Sequence, residues 1–257
     1  GGPSVREAIR EPAEAQGVEF SDEALARLVH ELRQVSVQQP DGRIVQRQGL
    51  WVEPVQLQVV CHRLWTKLAP EAVTVELDDV ERLGNVDQAL GAFYAEQVAA
   101  IARAGGVSER KVRDWLGSRL ISPQGVRTQA LRGERESEGL DNRVIEGLEG
   151  VHLVRAEERR GVRWIELAHD RLVDPVRRDN ERWKREHLHP LQLQAELWES
   201  QGEPGALLLS EEALGEAQGW LAANATELAP QELLFLQRSE ELRRGERQVR
   251  EAQARAL

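Results

Sequence analysis

The chain has 257 residues, 40% hydrophobic and 30% charged, with a net charge of −10. This composition is ordinary for folded globular domains and excludes disorder by composition, while the excess of acid disfavours phosphodiester partners unless a local basic patch overrides it. Uncharged apolar runs, such as 206–209 and 233–236, fall far short of the roughly 20 residues that span a bilayer, so no membrane segment is expected.

A single cysteine, Cys61, cannot form an internal disulfide, and it lies within an apolar helical pattern. It reads as a small buried side chain in a reducing cytoplasm. The chain opens Gly-Gly-Pro-Ser and contains no methionine, so a piece of a longer polypeptide is expected.

Ser4 and Glu7 stand at capping-box spacing, which predicts a helix over 4–15. Leu25, Leu28, Val29 and Leu32 predict a second amphipathic helix of about 14 residues from Asp22. Residues 36–50 are mostly polar, carry Pro40-Asp41-Gly42, and read as a surface loop. Leu57, Val60, Cys61, Leu64, Trp65 and Leu68 form a long helical stripe, with Pro54 near its first turn and Pro70 closing it. Asn85 is placed to cap the next helix, whose apolar positions are Leu90, Phe93, Tyr94 and Ile101 and which ends at Gly105-Gly106.

After Val107 the pattern changes. Ser108 caps a helix carrying Val112, Trp115, Leu116 and Leu120, and Asp141 caps a short one carrying Val144, Ile145 and Leu148. Residues 152–155 and 162–167 flank a charged turn and predict a β-hairpin. From Pro175 the chain is helical and acidic, with helices over 191–198, 211–223 and from Pro230. Beyond Leu236 the stripe thins to Leu242, Val249 and Ala256, and a solvated helical linker is expected. The fold class is therefore mainly α: a helical bundle over 1–106, a winged-helix domain with a β-hairpin over 107–177, and a helical linker or adaptor region over 178–257.

No P-loop, dinucleotide fingerprint or Gly-x-Ser-x-Gly run occurs. The histidines at 30, 62, 152, 169, 187 and 189 do not fall at metal-ligand spacing, so neither a metal site nor catalytic machinery is expected in this chain. The most informative stretch is Leu167-Ala168-His169-Asp170-Arg171-Leu172, which places a His-Asp pair where the hairpin runs into a helix. A histidine at such a junction can donate a hydrogen bond to a phosphate.

That stretch resembles the Met-His-Asp motif that ends the winged-helix domain of plant disease-resistance proteins and apoptosome ATPases. Residues 51–61, followed by Leu64-Trp65, look like the start of the lid helix in the bacterial novel STAND NTPases. The opening Ala8-Ile9-x-x-Pro12-Ala13 and the later Trp183 and Trp198 are similar to the same bacterial family. Over most of its length the chain thus resembles the C-terminal part of that NTPase module: helical lid, winged helix and following helices.

The resemblance implies that His169 contacts the β-phosphate of ADP and holds the closed, inactive state, and that Pro54 packs near the adenine. The glycine that the family carries two residues before that proline is Val52 here. Asp170 would cap or anchor the following helix and keep His169 aimed. ADP or ATP with Mg²⁺ would be bound mainly by a P-loop domain upstream, so any ATPase activity belongs to the parent polypeptide. A downstream sensor domain, commonly WD40 repeats, would be the other partner within the polypeptide, and homo-oligomerisation on activation is left open. One charge-assisted bond to a phosphate, worth roughly 1.5–3 kcal/mol, would bias such a switch roughly 10- to 100-fold.

Two rival readings remain. A winged helix can bind DNA, but the presumed recognition helix over 141–149 carries three acids against one base, and only the turn over 155–163, with four arginines to two glutamates, is basic. Alternatively the chain is a passive helical adaptor for protein–protein contacts.

Overall fold

A computed structural model describes residues 4–38, 44–49, 52, 54–69, 71–83, 86–224 and 228–256. The fold is mainly α, 67% helix and 12% strand. It divides into two compact units, residues 1–181 and 182–257.

In the first unit α1 (Val5–Glu14) starts at the expected capping box, with Ser4 accepting from the Glu7 N–H and the Glu7 carboxylate accepting from the Ser4 N–H. Strand β1 (Glu19–Phe20) leads into α2 (Asp22–Arg33), whose N-cap is Ser21. Where a polar loop was expected, β2 (Gln34–Gln38) and β3 (Ile44–Gln48) pair as an antiparallel hairpin. The alternation Val35-Ser36-Val37 matches the two-residue period of a strand and outweighs the polar average of the segment.

Helix α3 (Pro54–Lys67) begins at the expected proline. Strand β4 (Thr74–Val75) pairs in parallel with β1, and α4 (Leu77–Leu83) leads to α5 (Val86–Gly105). Gly106, with φ +63°, ends α5 in the left-handed region. The turn at Pro40-Asp41-Gly42, the cap at Asn85 and the stop at Pro70 fall outside the described residues.

Helix α6 (Glu109–Arg119) is capped by Ser108, as expected. Strands β5 (Gln129–Leu131), β6 (Glu136–Ser137) and β7 (Leu140–Asp141) precede α7 (Asn142–Gly150), capped by Asp141. The hairpin β8 (Val154–Arg159) and β9 (Val162–Leu167) closes through Arg160-Gly161, with φ +53° and +76°. Positive φ at both loop residues matches the strands' right-handed twist, so the charged turn tightens to two residues. Strand β5 adds to β9, giving the sheet order β5-β9-β8. With α6 and α7 this sheet makes the winged-helix layout.

Residues 1–106 and 107–177 share one continuous core, in which Leu25, Leu64 and Tyr94 belong to the same apolar cluster as Leu116, Ile145 and Leu167. Helix α8 (Val173–His187) follows the hairpin and crosses the boundary between the units.

The second unit comprises α9 (Pro190–Ser200), α10 (Glu211–Asn224) and α11 (Pro230–Ala256). These helices lie where the sequence places them, around a small core in which Trp198 and Phe235 meet at 5.4 Å between ring centroids. Helix α11 runs unbroken to Ala256, with Val249 exposed on it. Among the described residues no helix is long and apolar enough to cross a membrane.

Candidate functional site

His169 lies two residues past the end of β9 and, with φ −151° and ψ 143°, caps a 3-10 turn over 170–172. Its Nδ1 accepts from the Arg171 backbone N–H at 2.9 Å. A backbone amide can only donate, so Nδ1 is the unprotonated nitrogen and the ring proton sits on Nε2. Gln56 Nε2 lies 3.2 Å from the same Nδ1, and its carboxamide nitrogen is also a donor only. Gln56 is buried in the first turn of α3, two residues after Pro54. The fold therefore brings the histidine and the start of the expected lid helix together across 113 residues of chain. The side chain of Pro54 lies outside the described residues.

Asp170 does not cap the turn; His169 does. The Asp170 carboxylate, 76% exposed, instead accepts from Arg127 Nε at 2.9 Å. Arg127 Nη1 donates to the Leu167 carbonyl at 2.9 Å, so Asp170 supports the junction by holding the arginine that fixes the end of β9. Arg171 faces the other way. Its Nη1 donates to the Glu31 and Leu32 carbonyls at 3.2 and 3.1 Å, and its Nε donates to Asp87 at 3.1 Å. A cation on the last carbonyls of α2 satisfies acceptors the helix cannot and complements its dipole. Arg171 is thereby a positioning residue that fastens the strand-to-helix junction to α2 and α5.

Glu166 is the acid beneath this junction, 4% exposed on β9. Burial pushes its carboxyl up, but Gln129 at 2.7 Å, Arg155 at 2.7 Å and the nearby Arg127 more than offset this and hold it below the ordinary carboxylate range. The sequence marks His169 and Asp170 at this junction. Gln56, Arg127 and Glu166 were missed, because an isolated glutamine, arginine or glutamate carries no spacing that marks it.

On the presumed recognition helix, Glu146 and Glu149 both face Arg132, at 2.8 and 3.2 Å. On the wing, Arg159 pairs with Glu157 at 2.7 Å and Arg155 with Glu166. Much of the local positive charge is thus engaged by carboxylates of the same domain. No family model, curated protein or solved structure matches this chain.

Proposed function

We propose that the chain is the regulatory lid and winged-helix portion of a STAND-type signalling ATPase, which senses bound ADP or ATP and relays a conformational switch. The observation that carries this reading is the bond between Gln56, beside Pro54, and His169. It makes the histidine and the first turn of the lid helix one unit, as a phosphate reader combined with a lid requires. With Nδ1 occupied by the Arg171 N–H, Nε2–H is the group that would donate to the β-phosphate. Such a bond forms in one position of the lid only, so it biases a two-state equilibrium instead of adding affinity uniformly. The nucleotide and its Mg²⁺ would be held mainly by a P-loop domain joined to this chain, with a sensor domain as the second partner.

In a polypeptide that joins this chain to such a P-loop domain, His169→Ala is expected to accelerate ADP release and raise the active fraction. Nucleotide exchange at the wild-type rate would overturn the sensor role.

A further inference from the structure

Two cavities flank α3 in the first unit. One is a groove of about 430 Å³ between α1 and α3, its walls formed chiefly by Ile9, Phe20, Leu57, Leu64 and Trp65. The other is a cleft of about 300 Å³ between α3, α5 and the turn from α7 to β8, where His62, Arg63, Glu96 and His152 converge. Gln58 and His62, one helical turn apart, line both, so the cavities adjoin along one ridge of α3. Each volume lies within the range of about 300–1,000 Å³ typical of small-molecule sites. Gln56, His169 and Arg171 line neither cavity.

The two halves differ in chemistry. The groove is apolar and keeps Trp65 41% exposed, a large aromatic surface left facing solvent. Cys61 on its wall stays a neutral thiol, because burial pushes it up to about 11. The cleft is rich in donors: two imidazoles, the Arg63 guanidinium and the Gln58 and Gln97 carboxamides, against the single carboxylate of Glu96. Among the described residues neither the His62 nor the His152 imidazole makes a hydrogen bond. Among the described residues the Arg63 guanidinium makes one bond, a long one of 3.4 Å to the Gln88 carbonyl.

His152 also stands where a glycine is usual. Helix α7 ends with the Leu153 N–H on the Leu148 carbonyl and the His152 N–H on the Glu149 carbonyl, which leaves His152 at φ +58°. This pattern usually places glycine at that position, and an imidazole there is held at a cost in strain.

We propose that groove and cleft form one bipartite site for an aliphatic carboxylic acid. The hydrocarbon lies in the α1–α3 groove, and the carboxylate accepts from His62, Arg63 and His152. The convergent donors select the carboxylate head, and the apolar walls select its tail. The site does not depend on nucleotide binding.

Calorimetric titration of the chain with decanoate, octanoate and decyltrimethylammonium, each below its micellar concentration, tests this. Decanoate is expected to bind saturably at one site, roughly 10- to 20-fold tighter than octanoate, as burial of two further methylenes requires. The cation of equal chain length is expected not to saturate. His152→Gly removes the imidazole at a backbone position glycine prefers, so it should melt no lower than wild type yet bind decanoate at least fivefold more weakly. Trp65→Ser should weaken the tail contact and reduce the difference between the two acids. Absence of saturable binding, equal binding of the cation, or wild-type affinity in both variants would overturn the proposal. Association with phosphatidylglycerol vesicles without binding of monomeric decanoate would overturn it too.

Discussion

Glu166 shows how a single side chain conditions the junction that presents His169. Its carboxylate is buried among Gln129, Arg155 and Arg127, and its folded-state ionisation lies below the ordinary range. A depressed acid contributes stability that is fully present above its unfolded value of about 4.3 and is lost as pH falls toward the lower folded value. Thermal melts between pH 6 and 3 should therefore fall less steeply in Glu166→Gln than in wild type. Identical slopes below about pH 4.3 would show that the arginines do not hold this carboxylate ionised. At this scale the sequence was legible where a residue type is itself informative. The histidine at the strand end could be named. Gln56 could not, because its role depends on a contact 113 residues away.

Among the elements, α5, α6 and α8 are tied by a buried polar network. Arg113 on α6 donates from Nη1 to Asp179 at 2.7 Å and to the Asn180 Oδ1 at 3.0 Å, both on α8, while the Tyr94 hydroxyl on α5 donates to the same Asn180 oxygen at 2.8 Å. Burial pushes the Tyr94 phenol strongly up, more than Arg113 lowers it, so it stays a donor. The Arg113 guanidinium also lies 5.3 Å from the Tyr94 ring centroid.

Removing one partner of a buried ion pair leaves the other charge poorly compensated, at a typical cost of about 3–5 kcal/mol. Asp179→Ala is expected to lose that much in urea denaturation, and a loss under about 1 kcal/mol would show that the network does not fasten α8. Helices with a clear cap, at Ser4, Ser108 and Asp141, were readable because the cap and the stripe agree. The hairpin of β2 and β3 was not, since its two-residue alternation is short and set in polar sequence. The two-residue strands β1, β4, β6 and β7 are shorter than any periodic signal, and only tertiary pairing defines them.

At the scale of the molecule, the change to acidic, leucine-rich helices places a boundary at 178 in the sequence, and the structure divides the chain into two units at 181. The shared core of the bundle and the winged helix was not legible, because periodicity shows which face of a helix is apolar and not which partner covers it. Net charge also belongs to this scale. With a net charge of −10 and two of the four wing arginines, Arg155 and Arg159, paired to Glu166 and Glu157, duplex DNA should show no measurable anisotropy change at about 50 mM salt. Saturable binding there would favour the rival winged-helix reading.

As a proposed phosphate reader, His169 would do more than cap its own turn. The direct measurement is ADP release from a polypeptide that joins this chain to a P-loop domain, compared between wild type and His169→Asn. Asparagine keeps an N-cap acceptor for the Arg171 N–H, so the junction is retained, but it lacks the Nε2 donor. ADP release is expected to be faster by about 10- to 100-fold, the equivalent of one charge-assisted hydrogen bond, at unchanged melting temperature. Release at the wild-type rate would contradict this role and leave His169 a structural cap.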